Sequence, residues 1–371
     1  MKSITEELIE RVVGRGDPDD DPSVASVLAD LALEANDKPL AASALDRACG
    51  LSPRDAGLSR LRAQVLDELA VTEHGLVFRY IPAGSFLMGS TTGDADERPV
   101  HLERVPAFWV TETCVTWADH CRLMGWAPPP DGSPPEEAEA PFPPQMLESR
   151  VRLQYCETDT LEARDWHAHA GMPDFGEVPR ASPGAPDYGV KPMVAVGWRT
   201  AAALGERLST EAVQVGLPTE REWERAARGG LIGARYAWGN EPPDPSRCDF
   251  GHFGDFAIRA PKSLPPNGYG LYGPCGGVSE WTCDPYDALA FHPRRPPASF
   301  TDASPRVLRG GCFTDDEEAV TVSFRMALTD EQGAGSPTVG FRLVRRVPPV
   351  PALAARGPSA RPPVASGRRR R

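Results

Sequence analysis

The chain has 371 residues, room for two domains and tails, and its 40% hydrophobic share is enough for a core. Its net charge of −12 argues against a nucleic-acid surface over the chain as a whole, and no apolar run approaches the ~18 residues of a membrane helix. Eight dispersed cysteines suit a reducing cytosol, while 40 prolines and 35 glycines argue for a loop-rich fold rather than a helical bundle.

The N-terminal stretch MKSITEELIERVV has acids inside its apolar pattern and no small-residue cleavage site, which argues against a signal peptide and for a cytoplasmic protein. Residues 3–72 carry apolar side chains at helical spacing. The sets are Ile4, Leu8, Ile9, Val12; Val24, Val27, Leu28, Leu31; Leu40, Ala44, Leu45, Ala48; and Leu58, Leu61, Val65, Leu66, Leu69. Breakers at Gly14, 17–22, 36–39 and 52–53 separate them, and Ser52 ahead of Pro53 is the expected cap of the last helix. Residues 42–55 weakly resemble a tetratricopeptide helix pair, but one match does not make a stacked array. Residues 1–73 are therefore read as a small helical module for packing or docking.

The texture changes after Gly75. LVFRYIPAGSFLMGS and HLERVPAFWVTE read as strands joined by turns, followed by a short helix that Thr116 can cap. Twelve of the 40 prolines fall in 127–187, which excludes a continuous helix or central strand and marks a long insertion. Residues 191–211 read as a strand entering a helix, with Thr200 as its cap. LPTEREWERAAR at 217–228 is the best-marked local signal: Thr219 and Glu222 form a capping box, and Gly229 with Gly230 stops the helix. YAWGN, PPNGYGLYG, GGVSEW, LRGGCF and VGFRLV follow between loops, giving an irregular α+β domain.

Within 306–325, RVLR precedes the double glycine Gly310–Gly311, then Cys312 and four consecutive acids, Asp315, Asp316, Glu317 and Glu318. Val320, Val322 and Phe324 alternate with polar residues and predict a second, half-buried strand, so the segment reads as a hairpin with an acidic tip. Residues 347–371 read as a disordered Pro/Arg tail ending in four arginines.

Taken together, PAGSFLMGS (82–90), PMVAVGW (192–198), LPTEREWERAARGG (217–230), YAWGN, PPNGYGLYG, EW (280–281), RGG (309–311) and GFR (340–342) resemble the formylglycine-generating enzyme / sulfatase-modifying-factor family over 76–346. The resemblance implies a variant of the C-type lectin fold. The best-known members oxidise a client cysteine with O2 and copper(I), and a related branch forms sulfur–carbon bonds with non-heme iron. Fold does not fix function, so each site must be checked.

The copper enzymes hold the metal with two cysteine thiolates just beyond the RGG turn, as suits a soft ion. In this chain those positions fall in 315–321 and hold no cysteine, so copper is not expected; Cys312 is the nearest thiol and the candidate catalytic residue. The iron branch draws histidines from an N-terminal helical bundle, but the first histidine here is His74, so iron is not expected either. His167 and His169 with Asp165 are the one close histidine pair, read as solvated within the insertion. Calcium is the family's structural ion, and the resemblance places one site at Gly273, Gly276, Val278 and Glu280 and a second near Asp249 and Asp255. The resulting expectation is a non-catalytic member that binds a protein or peptide partner, with no nucleic acid or membrane partner. Its surface is built from Asp315, Asp316, Glu317, Glu318, Arg325 and Trp281. One alternative is an O2-dependent oxidoreductase with a non-standard metal site that includes Cys312. Another is a retroelement-diversified lectin-like binding protein.

Overall fold

A computed structural model describes residues 21–126, 188–251, 258–295, 298–334 and 336–348. The first predicted helical set, the insertion with Asp165, His167 and His169, and the Pro/Arg tail lie outside the described residues.

Three helices open the described chain: α1 (Pro22–Glu34), α2 (Lys38–Leu51) and α3 (Ala56–Leu69). Each is capped by an aspartate. Asp21 accepts from the Ser23 amide, Asp37 from Leu40, and Asp55 from both Gly57 and Leu58. The predicted cap Ser52 instead closes α2, and Asp55 begins α3. A carboxylate that accepts two amides and faces the positive helix end is the stronger cap.

The inward faces of α1 and α2 are small: Ala25, Ala29, Ala32, Ala41, Ala42, Ala44 and Ala48 are buried. Small residues let α1 and α2 approach closely, and the same apolar cluster continues into Tyr80, Phe86, Phe108 and Tyr269. The helices thus share a core with the strands that follow.

Those strands form three sheets. The largest has the order β1 (Val71–Glu73), β2 (Leu76–Ile81), β5 (Phe108–Thr111), β11 (Val344–Arg346), β6 (Gln214–Gly216). The second runs β10 (Val339–Gly340), β7 (Ser279–Pro285), β8 (Arg306–Arg309), β9 (Arg325–Leu328). The third is the hairpin of β3 (Gly84–Met88) and β4 (His101–Val105). Helices α4 (Trp117–Met124), α5 (Trp198–Leu208), α6 (Glu220–Ala227) and α7 (Asp330–Ala334) complete an α+β fold. A second core between the sheets is built on Trp117, Met193, Trp281 and Phe341.

Thr116 caps α4 as predicted, through the Asp119 amide. Thr200 does not cap α5. That helix begins at Trp198, and Asp330 of α7 accepts from the Arg199 amide at 2.9 Å, so the cap arrives from far along the chain. Residues 193–196 are buried but form no strand: the Met193 amide reaches the Val115 carbonyl and Ala195 the Ser336 carbonyl, with Ala195 at φ 55°.

Candidate functional site

Helix α6 is the hub on which the site is mounted. Its capping box is formed as predicted, with the Glu222 amide donating to Thr219 and the Thr219 amide to Glu222. Its other polar residues each reach a different element. Glu220 holds Arg325 on β9 at 2.6 Å, and Glu222 holds Arg346 on β11 at 2.5 Å. The Trp223 indole donates to Glu280 on β7 at 2.7 Å. Glu224 pairs with both Arg228 and Arg309 and accepts from the Gly89 amide. Arg225 holds Asp46 on α2 at 2.6 Å.

Glu224 and Arg309 are fully buried, so each charge depends on its partner. Burial alone would raise the Glu224 carboxyl, but Arg228 and Arg309 more than offset it and hold it below the usual range; Arg346 does the same for Glu222. Groups depressed in the folded state contribute stability above their unfolded pKa, and that stability is lost as pH falls through the folded value. Unfolding midpoints in urea should therefore be level near neutrality and drop below about pH 4.3, the ordinary glutamate value. Equal midpoints at pH 3 and pH 7 would count against this lattice.

The segment 306–325 sits on this hub. β8 and β9 pair in antiparallel register, Arg306 opposite Leu328 through Arg309 opposite Arg325, so the hairpin exists. Its connection is the whole of 310–324. The predicted strand over 320–324 does not form. Arg309 donates to the carbonyls of Val322, Ser323 and Phe324, and the Val322 amide goes to Arg235, so the backbone groups a sheet partner would take are already engaged. The double glycine is required. Gly310 and Gly311 have φ of 96° and 66°, and a Cβ would lie 2.7 Å from the Pro274 carbonyl oxygen at the first and 2.5 Å from that of Ala319 at the second.

The acidic run divides in two. Asp315 accepts from the Cys312 amide at 2.8 Å, and Asp316 accepts from the amides of Glu318 and Ala319, so both carboxylates close turns. Asp316, Glu317 and Glu318 are exposed. The Tyr236 hydroxyl donates to the Glu317 carbonyl at 3.3 Å, and the Tyr236 ring stacks on half-buried Trp238 at 5.0 Å. An aromatic pair therefore stands beside the acidic turn.

Two expected surface residues are not on a surface. Trp281 is fully buried and its indole donates to the Val196 carbonyl at 2.8 Å. The Arg325 side chain is fully buried between Glu220 and the rings of Tyr286 and Phe291. An aromatic followed by strand residues and an arginine heading a strand are indistinguishable in sequence from exposed binding residues.

Cys312 is 4% exposed, with its sulfur 3.2 Å from the Thr314 hydroxyl. Burial, and then the Asp315 carboxylate, push its thiol up to about 12. Cys114, Cys275 and Cys283 are also pushed up to about 12, in each case chiefly by burial. Burial beside a carboxylate holds each of these four thiols above the ordinary cysteine value. At pH 7 Cys312 should resist iodoacetamide in the folded protein and react when unfolded in urea. Rapid native alkylation, located by peptide mass, would overturn this assignment.

The residues placed by resemblance at calcium are partnered differently. Both Glu280 oxygens accept from Arg342, at 2.6 and 2.7 Å, and one also accepts from Trp223. Asp249 accepts from the Arg259 amide at 3.0 Å and faces its guanidinium at 3.4 Å. The Gly276 amide donates to Gly310. A cavity of about 20 Å³ beside Asp249, Gly276 and Val278 has the volume of one small ion or water. The space suffices, but both carboxylates already face guanidiniums, which does not favour a dication that takes six to eight oxygens. Among the described residues no group of three or more His, Cys, Asp or Glu could hold a metal ion.

With this geometry in place, the comparisons with known proteins are direct. Residues 65–347 match the sulfatase-modifying factor enzyme 1-like domain. The chain belongs to the sulfatase-modifying factor family. The formylglycine-generating enzyme of Streptomyces coelicolor is 31% identical over 294 residues, covering 71% of this chain and 87% of that protein. Inactive C-alpha-formylglycine-generating enzyme 2 of Mus musculus is 31% identical over 292 residues, covering 71% and 83%. Serine/threonine-protein kinase pkn1 of Chlamydia pneumoniae is 34% identical over 271 residues, but this chain spans only 37% of it. Among solved structures, Treponema denticola variable protein 1 superposes with a TM-score of 0.51 at 20% identity, covering 74% of this chain and 97% of that one, which shows the fold. The family motifs turn out to be the lattice: RGG supplies Arg309, GFR supplies Arg342, and EREWERAAR supplies α6.

Proposed function

We propose that this member of the sulfatase-modifying factor family is a non-catalytic binding module for a cationic protein segment. The observation that carries the reading is the turn after RGG. The family motifs and their buried ion pairs are retained, while the positions that resemblance assigns to paired thiolates hold an acidic turn. Similarity to a mammalian relative named as inactive supports the same reading. Exposed Asp316, Glu317 and Glu318 offer carboxylates, the groups that pair with arginine; Tyr236 beside them is buried with the Arg235 guanidinium over its ring, so the carboxylates carry the reading.

Two measurements test this. Protein reconstituted with copper(I) or iron(II) should consume no O2 with a thiol peptide; turnover abolished by Cys312→Ala would establish the oxidoreductase alternative, which similarity to the Streptomyces enzyme favours. An arginine-rich fluorescent peptide should bind the protein saturably, with affinity reduced about tenfold by Glu317→Lys with Glu318→Lys, as for a close charge pair reversed at an interface. An unchanged affinity would remove this surface from the proposal.

A further inference from the structure

One small cavity is shared by both calcium sites that the family resemblance predicts. About 20 Å³ in volume, it is lined by Gly273, Gly276 and Val278 from the first and by Asp249 from the second. Arg259 lines the same cavity. Its backbone amide donates to Asp249 Oδ2 at 3.0 Å, its Nε stands 3.4 Å from Oδ1, and its Nη1 donates to the Pro245 carbonyl at 2.6 Å. One guanidinium therefore gathers a carboxylate and a carbonyl, the two kinds of oxygen that calcium gathers elsewhere.

The donor set suits that cation better than a dication. Among the described residues lining the cavity, Asp249 is the one carboxylate, and Gly273 brings no side-chain oxygen. Arg259 already balances the buried Asp249 charge, so a calcium ion would leave two positive charges uncompensated there. An arginine stays protonated and, being part of the chain, cannot dissociate.

The backbone shows what this cation holds. The Asp249 carbonyl accepts from the Gly277 amide at 2.8 Å, and the Gly277 carbonyl accepts from the Phe313 amide at 2.9 Å. The Gly251 amide donates to the Asp315 carbonyl at 2.8 Å. Residues 249–251 are thus a strap between the 276–277 turn and the turn that carries the acids. The approach is close: a Cβ on Gly276 would lie 2.4 Å from the Asp249 carbonyl oxygen.

We propose that Arg259 is the resident cation of this cavity, standing where relatives place calcium, and that through Asp249 it positions the 312–318 turn. The geometry of the turn is then independent of calcium supply.

Two experiments on the full chain test this. Wild-type protein stripped with EGTA and then given millimolar calcium should keep its thermal midpoint within about one degree, because an ion that binds the folded state alone would raise it. A rise of several degrees, abolished by Asp249→Asn, would return the site to the ion and overturn the proposal. Hydrogen exchange read by mass spectrometry tests the positioning. Arg259→Gln should speed exchange of peptides covering 310–319 by about tenfold or more while leaving α1–α3 protected, and Arg259→Lys, which keeps the charge, should restore most of the protection. Unchanged exchange in Arg259→Gln, equal loss in the Gln and Lys variants, or faster exchange throughout the chain would overturn it.

Discussion

Glu224→Ala should be the most damaging single substitution in the family domain. It removes the anion shared by Arg228 and Arg309 and the acceptor of the Gly89 amide, all inside a fully buried site. Breaking a buried pair by deleting one partner typically costs ~3–5 kcal/mol, because the remaining charge is stranded. Against a total stability of ~5–15 kcal/mol, that is enough to leave the protein partly unfolded at 37 °C. The released Arg309 would also hold the carbonyls of 322–324 less firmly, so the turn carrying the acids should loosen with it. Urea unfolding monitored by tryptophan fluorescence gives the measure. A loss below 1 kcal/mol would mean the lattice is ornamental.

Asp46→Ala should come next, for a different reason. Asp46 receives Arg62 at 3.1 Å, Arg225 at 2.6 Å and the Tyr269 hydroxyl at 2.8 Å. Arg62 goes on to the carbonyls of Gly229 and Gly268. One α2 carboxylate thus ties the helices to α6 and to the loop around Tyr269. Its loss strands two buried guanidiniums and should cost a similar ~3–5 kcal/mol. The distinguishing sign is regional: limited proteolysis should open 22–69 before the sheets. A double-mutant cycle with Arg225→Met should show coupling above ~1 kcal/mol, as expected for residues in contact. Additive effects would separate the helices from the hub.

What was readable from sequence was local or repeated in pattern. α6 could be placed because Thr219, Glu222 and the stopping glycines lie within one stretch. The helical sets at 24–69 followed from spacing alone. The misreadings share a cause, which is a partner distant in sequence. Thr200 looked like a cap until Asp330 supplied one. Residues 320–324 looked like a strand until Arg309 took their carbonyls. Trp281 and Arg325 looked available for binding until the core around Val196 took the first and Glu220 with Tyr286 and Phe291 enclosed the second. The tether between Asp46 and Arg225 spans 179 residues, and nothing near either residue announces it.

That reach has a consequence for biosynthesis. The partners of α6 lie 57, 85, 105 and 124 residues downstream, ending with Arg346 on β11, an interior strand of the five-stranded sheet. A nascent chain leaves the ribosome from its N-terminus, so α6 emerges with Glu224 able to pair only with Arg228, while Glu220 and Glu222 precede the Arg325 and Arg346 that hold them in the folded protein. Helices α1–α3 can meet it first, through Asp46. The five-stranded sheet cannot seal until β11 is free to pair with β5 on one side and β6 on the other. Folding is therefore tied to the completion of Arg346, and a chain truncated just before that residue should be recognised as unfinished by the cell's quality control.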